Sequence, residues 1–158
     1  KGVAKASKKV GRETPEGAVV AYVHAGGKIG VMVEVNCETD FVARNDDFQT
    51  FAKEVAMQIA ANNPKYISRD DIPEAELEKE KEIMKAQVIE SGKPANMADK
   101  IAEGKVEKFF EEVCLLDQVY IRDSKVKIND LLQALIAKVG ENIKIRRFTR
   151  YQLGESLD

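Results

Sequence analysis

Tryptophan is absent from this 158-residue chain, and histidine occurs only once, at position 24. A metal centre built on several histidines is therefore excluded within one chain. Cys37 and Cys114 lie far apart on apolar segments and form no Cys-x-x-Cys pair, so we expect reduced thiols and no disulfide. No apolar run is long enough to span a bilayer, and no secretory signal pattern is seen. We therefore expect a protein of a reducing compartment, without a metal, a cofactor or a membrane span.

Phosphate-binding glycine motifs are also missing, because neither GxxxxGK[ST] nor GxGxxG precedes a helical pattern. A nucleophilic pair can be imagined between His24 and Cys37, since both lie in one predicted hairpin. However, Cys37 falls in phase with apolar valines, and no third residue is evident to orient the histidine. We therefore predict no catalytic residue and no enzymatic activity.

The composition that remains is that of an ordinary globular protein. Hydrophobic residues make up 44% and charged residues 33% of the chain, and the net charge is −2. A chain of this length can bury a sizeable core as one domain without cross-links. Residues 1–14 are small, basic and punctuated by glycine, and they open without an initiator methionine. We expect them to be a tail or linker that joins a further N-terminal piece to a core of residues 15–158.

Hydrophobic periodicity places a β-hairpin and then a helix after this tail. Residues 18–25 and 29–38 are predicted strands, and Gly26-Gly27-Lys28 between them suits the positive-φ positions of a tight turn. Apolar residues alternate along the second strand, so one of its faces should be buried. Asn45 is a good N-cap for the helix that follows, which should end near Asn62 before Asn63-Pro64.

The rest of the chain predicts two long helices, a short helix and a final strand. The long helices, residues 73–90 and 95–113, are joined by a Ser91-Gly92-Lys93-Pro94 turn, and we expect a projecting antiparallel helical hairpin over residues 74–113. The later elements are an extended segment at 115–122, a turn at Asp123-Ser124, a helix capped by Asn129 that ends at Gly140, and a strand at 142–153. Because the strands fall into two groups separated by helices, the fold class is α+β, with a small antiparallel sheet packed with helices.

The most informative stretch is Thr39-Asp40-Phe41-Val42-Ala43-Arg44-Asn45, where the second strand meets the first helix. Asp40 and Phe41 side by side suit a core poorly, because a carboxylate resists burial without a partner. One interpretation is a wedge presented to another molecule. The other interpretation is structural, with Thr39 or Asp40 capping a helix and Phe41 folding inward. Spacing alone leaves both open.

The last strand interleaves positive charge with aromatic rings, as RNA-binding sheets do. The residues concerned are Lys144, Arg146, Arg147, Phe148, Arg150 and Tyr151. No second aromatic strand accompanies them, and an edge strand protected by charge has the same pattern. An RNA-binding accessory module is therefore the alternative function. The alternation also breaks at Arg147 and Phe148, which predicts a β-bulge or an interface.

Taken together, these segments resemble the elongation factor Ts family, the guanine-nucleotide exchange factors of elongation factor Tu. The similarity rests on the Thr39-to-Asn45 stretch after Val35-Asn36-Cys37 and covers nearly the whole chain in order. Its other segments are His24-Ala-Gly-Gly-Lys-Ile-Gly-Val31, Ser91-Gly-Lys-Pro94, Ile101-Ala-Glu-Gly-Lys105, Lys108-Phe-Phe110, Gly140-Glu-Asn142 and Arg146-Arg-Phe148 through Gly154-Glu155.

The resemblance implies how such a chain would act. In this family an Asp-Phe pair enters the nucleotide-binding domain of the partner beside its magnesium site, and Asp40 and Phe41 match that pair, with Thr39 and Val42 completing the loop. The resemblance further implies Mg²⁺ displacement and GDP release, with no direct nucleic-acid contact. His24, Gly26 and Gly27 are expected to add a further partner contact, although a histidine at a hairpin tip is more often a plain surface residue.

The resemblance also implies an assembly and a compartment. Longer members of the family duplicate the strand-and-helix core, whereas this sequence shows one copy. Short members pair as homodimers, so we expect an isologous dimer that uses the final strand and its break at Phe148. The expected compartment is the bacterial cytoplasm, and the stroma of a plastid is the alternative.

Overall fold

The predicted hairpin is formed by strands β1 (Glu16–Val23) and β2 (Ile29–Cys37). The structure is a computed structural model that describes residues 6–158. Gly26 and Gly27 adopt φ values of 96° and 71° in the connecting loop, where residues with a Cβ would be strained. The first five residues of the predicted tail lie outside the described residues.

One antiparallel sheet has the strand order β1-β2-β5, where β5 is the C-terminal strand Ile143–Gln152. The register between β2 and β5 shifts at Glu34/Val35, which confirms the bulge predicted near Arg147. A second, two-stranded sheet is formed by the short strands β3 (Val119–Tyr120) and β4 (Asp123–Lys127). Together with the helices below, this arrangement confirms the α+β class.

The sheet is covered on one face by helix α2 (Asp46–Asn62), which packs across β1 and β2. A one-turn helix α1 (Asp40–Ala43) precedes α2. The valines of β2 that alternate in sequence are buried, and so is Phe48 of α2. The buried residues confirm the two periodicities, period two in the strand and about 3.6 in the helix.

The described chain divides into two compact units. One consists of residues 6–63 and 119–158, which hold the sheets, helices α1 and α2, and a later helix α5 (Ile128–Val139). The other is Pro64–Gln118 and holds the two long helices α3 (Glu74–Glu90) and α4 (Ala95–Val113). The helix bounds agree with the predicted hairpin. Arg69 stabilises this second unit by bonding Glu107 and Asp117 while its guanidinium lies 4.4 Å from the Phe110 ring centroid.

Three of the predicted local boundaries are wrong. Residues 115–117 form a 3₁₀ turn and only Val119–Tyr120 pairs as a strand, so the segment 115–122 is not extended throughout. The turn lies at residues 121–122 and not at Asp123-Ser124, because Ile121 N donates to Gln58 Oε1 of α2 at 3.0 Å and fixes the chain there. Helix α5 begins at Ile128, where Lys127 N donates to the Asp130 carboxylate at 2.8 Å, so Asn129 is not its cap.

Within the described residues, no helix is both long and apolar enough to cross a membrane. Residues 6–158 also bring together no group of three or more histidine, cysteine or acidic side chains that could hold a metal ion.

Candidate functional site

The junction between β2 and α2 is held as a single helical turn by its own cap. Thr39 is extended, with φ −128° and ψ 152°, and its hydroxyl oxygen accepts a hydrogen bond from Val42 N at 3.2 Å. Ala43 N donates to Thr39 O, and Arg44 N donates to Asp40 O at 3.1 Å. Helix α2 begins directly after Asn45, whose side chain accepts from Asp47 N at 2.8 Å, which confirms the predicted cap. The backbone of the junction is therefore fixed on both sides of Asp40 and Phe41.

Two neighbouring apolar residues of this turn differ sharply in their exposure to solvent. Val42 is only 7% exposed and anchors the turn to the core, whereas Phe41 is 78% exposed. The rotation of about 100° per residue in a helix explains how one side chain is buried and the next is not. Full burial of a Phe side chain is worth roughly 1.5–3 kcal/mol, and most of that gain is not realised within the described residues. A large apolar side chain is thus displayed on a rigid support.

Asp40 precedes Phe41 in the same turn and is also exposed. Its carboxylate is 3.2 Å from the Arg44 guanidinium, four residues later, and both side chains are largely in solvent. Exposed pairs of this kind contribute about 0.2–1 kcal/mol, so another charged group can replace Arg44 at little cost. The turn therefore exposes one carboxylate and one phenyl ring from consecutive residues, Asp40 and Phe41.

A second pair of residues, Glu141 and Asn142, holds the junction from behind; the sequence named them only within the family resemblance and not as site residues. Glu141 Oε1 accepts from Glu38 N at 3.1 Å and from Thr39 N at 3.0 Å, while Thr39 Oγ1 donates to Glu141 Oε2 at 2.7 Å. In return, Asn142 N donates to Glu38 Oε2 at 2.5 Å. We call Glu38, Thr39, Glu141 and Asn142 the carboxylate clasp. The only sequence signal was the Gly-Glu-Asn run after α5, which carries no recognisable chemistry by itself.

Cys37 lies directly below the clasp and is fully buried. Its thiol donates to Thr39 O at 3.2 Å, and burial, followed by the nearby Glu141 charge, raises the pKa of Cys37 to about 11. The thiolate needed for nucleophilic chemistry is therefore disfavoured. In the hairpin register Cys37 lies opposite Glu16, whereas Val23, the residue before His24, lies opposite Gly30. Residues 30 and 37 are about 23 Å apart along a strand, so the imagined Cys-His pair does not form.

The hairpin tip is at the other end of the sheet from the junction. His24 is exposed and its Nδ1 lies 2.9 Å from the hydroxyl of Tyr22, while Gly26 and Gly27 face open space. The nine residues of β2 separate the tip from Thr39, a span of about 30 Å. The structure thus brings Thr39, Asp40, Phe41 and Val42 together but leaves the tip residues as a separate surface.

The cations of β5 are largely engaged inside their own unit. Arg146 and Arg147 both bond the Glu34 carboxylate, at 3.1 Å and 2.8 Å, and the bond from Arg147 lowers the pKa of Glu34. Arg150 Nη2 donates to Ala60 O at 3.0 Å. Glu34 offsets one of these positive charges, and the bond to Ala60 O holds the Arg150 side chain against its own unit, so less positive charge is free for a phosphate backbone than the sequence pattern suggested.

Comparison with known proteins identifies the family to which this chain belongs. The family model described as "Elongation factor TS" matches residues 5–155. The chain belongs to the elongation factor Ts family. Elongation factor Ts of Thermoanaerobacter sp. (strain X514) is 61% identical over 158 residues, which are 100% of this chain and 78% of the relative. Elongation factor Ts of Caldanaerobacter subterraneus subsp. tengcongensis is 60% identical over 158 residues, 100% of this chain and 79% of the relative.

A further member of the family is more distant. Elongation factor Ts of Carboxydothermus hydrogenoformans is 57% identical over 157 residues, 99% of this chain and 72% of the relative. Membership of the family supports a role for this chain as a translation elongation factor. It does not by itself assign a task to the exposed Asp40 and Phe41.

Proposed function

We propose that this chain is a guanine-nucleotide exchange factor for elongation factor Tu, and that Asp40 and Phe41 are its working wedge. The observation that carries the proposal is the exposure of Phe41, at 78%, on a capped helical turn whose neighbour Val42 is buried. A phenyl ring held in this way gains more by entering another protein than by staying in water. Membership of a family of elongation factors supports elongation factor Tu as the protein that it enters.

The proposed mechanism is one of binding, and this chain makes or breaks no covalent bond. Phe41 inserts between elements of the nucleotide-binding domain of the partner that must stay close together to hold Mg²⁺ and the diphosphate. Once the ion is displaced, the phosphate charge loses its counter-charge and GDP dissociates faster. Asp40 adds a carboxylate whose own pairing with Arg44 is weak enough to be exchanged.

Thermodynamic linkage then fixes the direction of the cycle. If binding of this chain lowers the affinity of the partner for GDP by a certain factor, binding of GDP must lower the affinity of the partner for this chain by the same factor. The chain therefore binds the nucleotide-free partner better than the GDP-bound one. GTP that is present in excess completes the exchange and releases the factor.

We assign two further surfaces to the same partner. The tip residues His24, Gly26 and Gly27 are exposed about 30 Å along β2 from the wedge, a separation that suits a second contact. In the other unit, Ile89 and Met97 are exposed on either side of the turn between α3 and α4. They provide apolar side chains for a contact away from the nucleotide.

We also propose that the chain forms an isologous homodimer through the face of the sheet opposite α2. Alternate residues of the strands on that face leave large apolar side chains in solvent: Val19, Val23, Met32 and Tyr151. The final strand supplies Tyr151, as expected, but Phe148 is half-buried in register with Val33 on the face covered by α2, so the break at Phe148 is not part of the proposed interface. In a C₂ dimer both copies use the same patch, so each apolar face would be buried against the identical face of the other copy.

Light scattering at micromolar concentration tests the dimer. The chain should show the mass of two copies, and Met32→Lys should shift it to one, because a lysine would then be buried without a partner. Leu157→Lys, which changes an exposed side chain near the C-terminus, should leave the mass unchanged. A monomeric wild-type chain would rule the dimer out.

The experiment that tests the exchange function is the release of fluorescent GDP from elongation factor Tu. The labelled complex is chased with excess unlabelled GDP at increasing concentrations of this chain. Release should accelerate to a plateau, and raising free Mg²⁺ should oppose the effect. An unchanged release rate, together with salt-sensitive retention of RNA by the same chain, would replace the proposal by the RNA-binding alternative.

We place this exchange in the bacterial cytoplasm, consistent with bacterial relatives.

A further inference from the structure

The carboxylate clasp links the wedge to a part of the fold about a hundred residues away in sequence. Glu141 follows helix α5 directly, after Gly140, which has φ 74° and donates its N–H to Ile136 O at 2.9 Å. This left-handed cap ends the helix and turns the chain towards the junction. The backbone of Glu141 is therefore placed by the end of α5 and the start of β5, and its carboxylate reaches the junction from there.

Glu141 supplies what a very short helix cannot supply for itself. A turn of four residues forms too few internal hydrogen bonds to be stable alone, because isolated helices below about 12 residues are already marginal in water. Its conformation therefore depends on the groups that bind its start. The donors there are Glu38 N, Thr39 N and the Thr39 hydroxyl, and the Glu141 carboxylate accepts from all three.

The bond to the Thr39 hydroxyl carries the constraint towards the wedge. Because the hydroxyl hydrogen is directed at Glu141 Oε2, the oxygen lone pairs are left to accept from Val42 N. Donation to a charged acceptor also makes that oxygen a better acceptor. A continuous hydrogen-bonded path thus runs from Glu141 through Thr39 to Val42, the buried neighbour of Phe41.

The reverse half of the clasp keeps the junction from rotating away. Glu38 receives Asn142 N on Oε2 and the Arg12 guanidinium on Oε1 at 2.6 Å, and Asn142 Nδ2 donates to Arg12 O at 2.8 Å. Each acidic side chain is bound by a backbone N–H of the opposite segment. Rotation of Thr39 would break bonds on both sides at once.

We propose that Glu141 is a positioning residue of nucleotide exchange: its carboxylate fixes Thr39 and, through it, the one-turn helix that presents Asp40 and Phe41. Glu141 itself is half-buried behind the junction. We propose that it acts through Thr39 and makes no contact with the partner. The inference rests on the proposed function, since positioning matters only if Phe41 is the wedge.

The test is a double-mutant comparison of Glu141→Ala, Phe41→Ala and the two together. Release of fluorescent GDP from elongation factor Tu and urea unfolding are both measured for each variant. Glu141→Ala should slow stimulated release about tenfold, because the loss of one charge-assisted hydrogen bond changes an equilibrium constant by about that factor. In the Phe41→Ala background the same change should slow release by a much smaller factor, because only the contribution of Asp40 is left to lose, although its effect on unfolding should persist in full.

Two more variants complete the design. Glu141→Gln keeps an oxygen for the two N–H groups but not the negative charge, so its release rate should fall between wild type and Glu141→Ala. It also serves as the test variant if Glu141→Ala does not fold. Glu155→Ala, which removes an exposed carboxylate elsewhere in the same unit, should behave as wild type in both assays.

The outcomes separate the two proposals. If Glu141→Ala lowers release by the same factor with and without Phe41, or does not lower it at all, Glu141 is only structural and the inference is wrong. If wild type does not accelerate release, or if Phe41→Ala accelerates it as well as wild type does, the proposed function itself fails.

Discussion

Truncation of Phe41 should separate stability from function, because the ring contributes almost nothing to the fold that carries it. Phe41 is 78% exposed, so its truncation should cost only about a fifth of the free energy of full burial, roughly 0.3–0.6 kcal/mol. Alanine gains up to about 0.5 kcal/mol over phenylalanine in a helical turn. The free energy of unfolding of Phe41→Ala should therefore stay within about 0.5 kcal/mol of wild type.

The same truncation should be costly in the complex. If the ring becomes fully buried in the nucleotide-binding domain of the partner, its loss removes about 2 kcal/mol, which corresponds to roughly a 30-fold slower release at limiting factor. Stopped-flow fluorescence with labelled GDP gives the rate, and urea unfolding of the same preparation gives the stability. Leu157→Ala is the matched control, since it truncates a side chain that is 97% exposed outside the junction, and both readings should equal wild type.

Two results would refute this reasoning. A release rate for Phe41→Ala equal to that of wild type would show that the ring does not act on the partner. A loss of several kcal/mol in stability would show that the ring is packed inside its own subunit, against the exposure seen here.

Two other predictions follow from the same junction and from the buried thiols. Thr39→Val should lower the free energy of unfolding by about 1 kcal/mol and slow GDP release, whereas Thr39→Ser should keep the stability and the release rate of wild type, because only serine keeps the hydroxyl that caps Val42 and donates to Glu141. Urea titration and the release assay measure the two variants, and equal behaviour of both would contradict the capping role. Burial raises the pKa of Cys37 and Cys114 from 9.0 to about 11, so the stability that the two protonated thiols contribute is fully present below pH 9.0 and is lost as the pH rises towards 11, where the unfolded thiols ionise first. Urea unfolding measured between pH 8 and 11 should show a free energy of unfolding that falls less steeply with pH in the Cys37→Ala, Cys114→Ala double variant than in wild type. An identical dependence on pH in the two proteins would contradict the prediction.

The elements with strong periodicity were predictable from sequence alone. Valines alternate along β2, and apolar residues recur at helical spacing in α2, because each element buries one face against the other. The caps at Asn45 and Gly140 follow from the local chemistry of a side-chain acceptor and of a residue free to adopt positive φ. Sequence patterns were sufficient to predict an element wherever residues close to it in the chain determine its structure.

Prediction failed where a distant residue decides the local structure. The turn at residues 121–122 is set by Gln58 of α2, and no pattern within 115–124 encodes that bond. Glu141 is placed behind Thr39 by the pairing of β5 with β2, a contact over about a hundred residues that composition and spacing do not show. For the same reason spacing left the direction of Phe41 undecided between core and solvent.

The central claim is that the aromatic ring at position 41 enters the nucleotide-binding domain of elongation factor Tu. A benzophenone-bearing phenylalanine analogue placed at this position tests it most directly, since it keeps an aromatic ring and forms a covalent bond with its neighbours under illumination. We predict cross-links to the nucleotide-binding domain beside the magnesium site in the nucleotide-free complex, and their loss when excess GDP is added. Cross-links confined to this chain itself, in a complex that otherwise forms normally, would contradict the account.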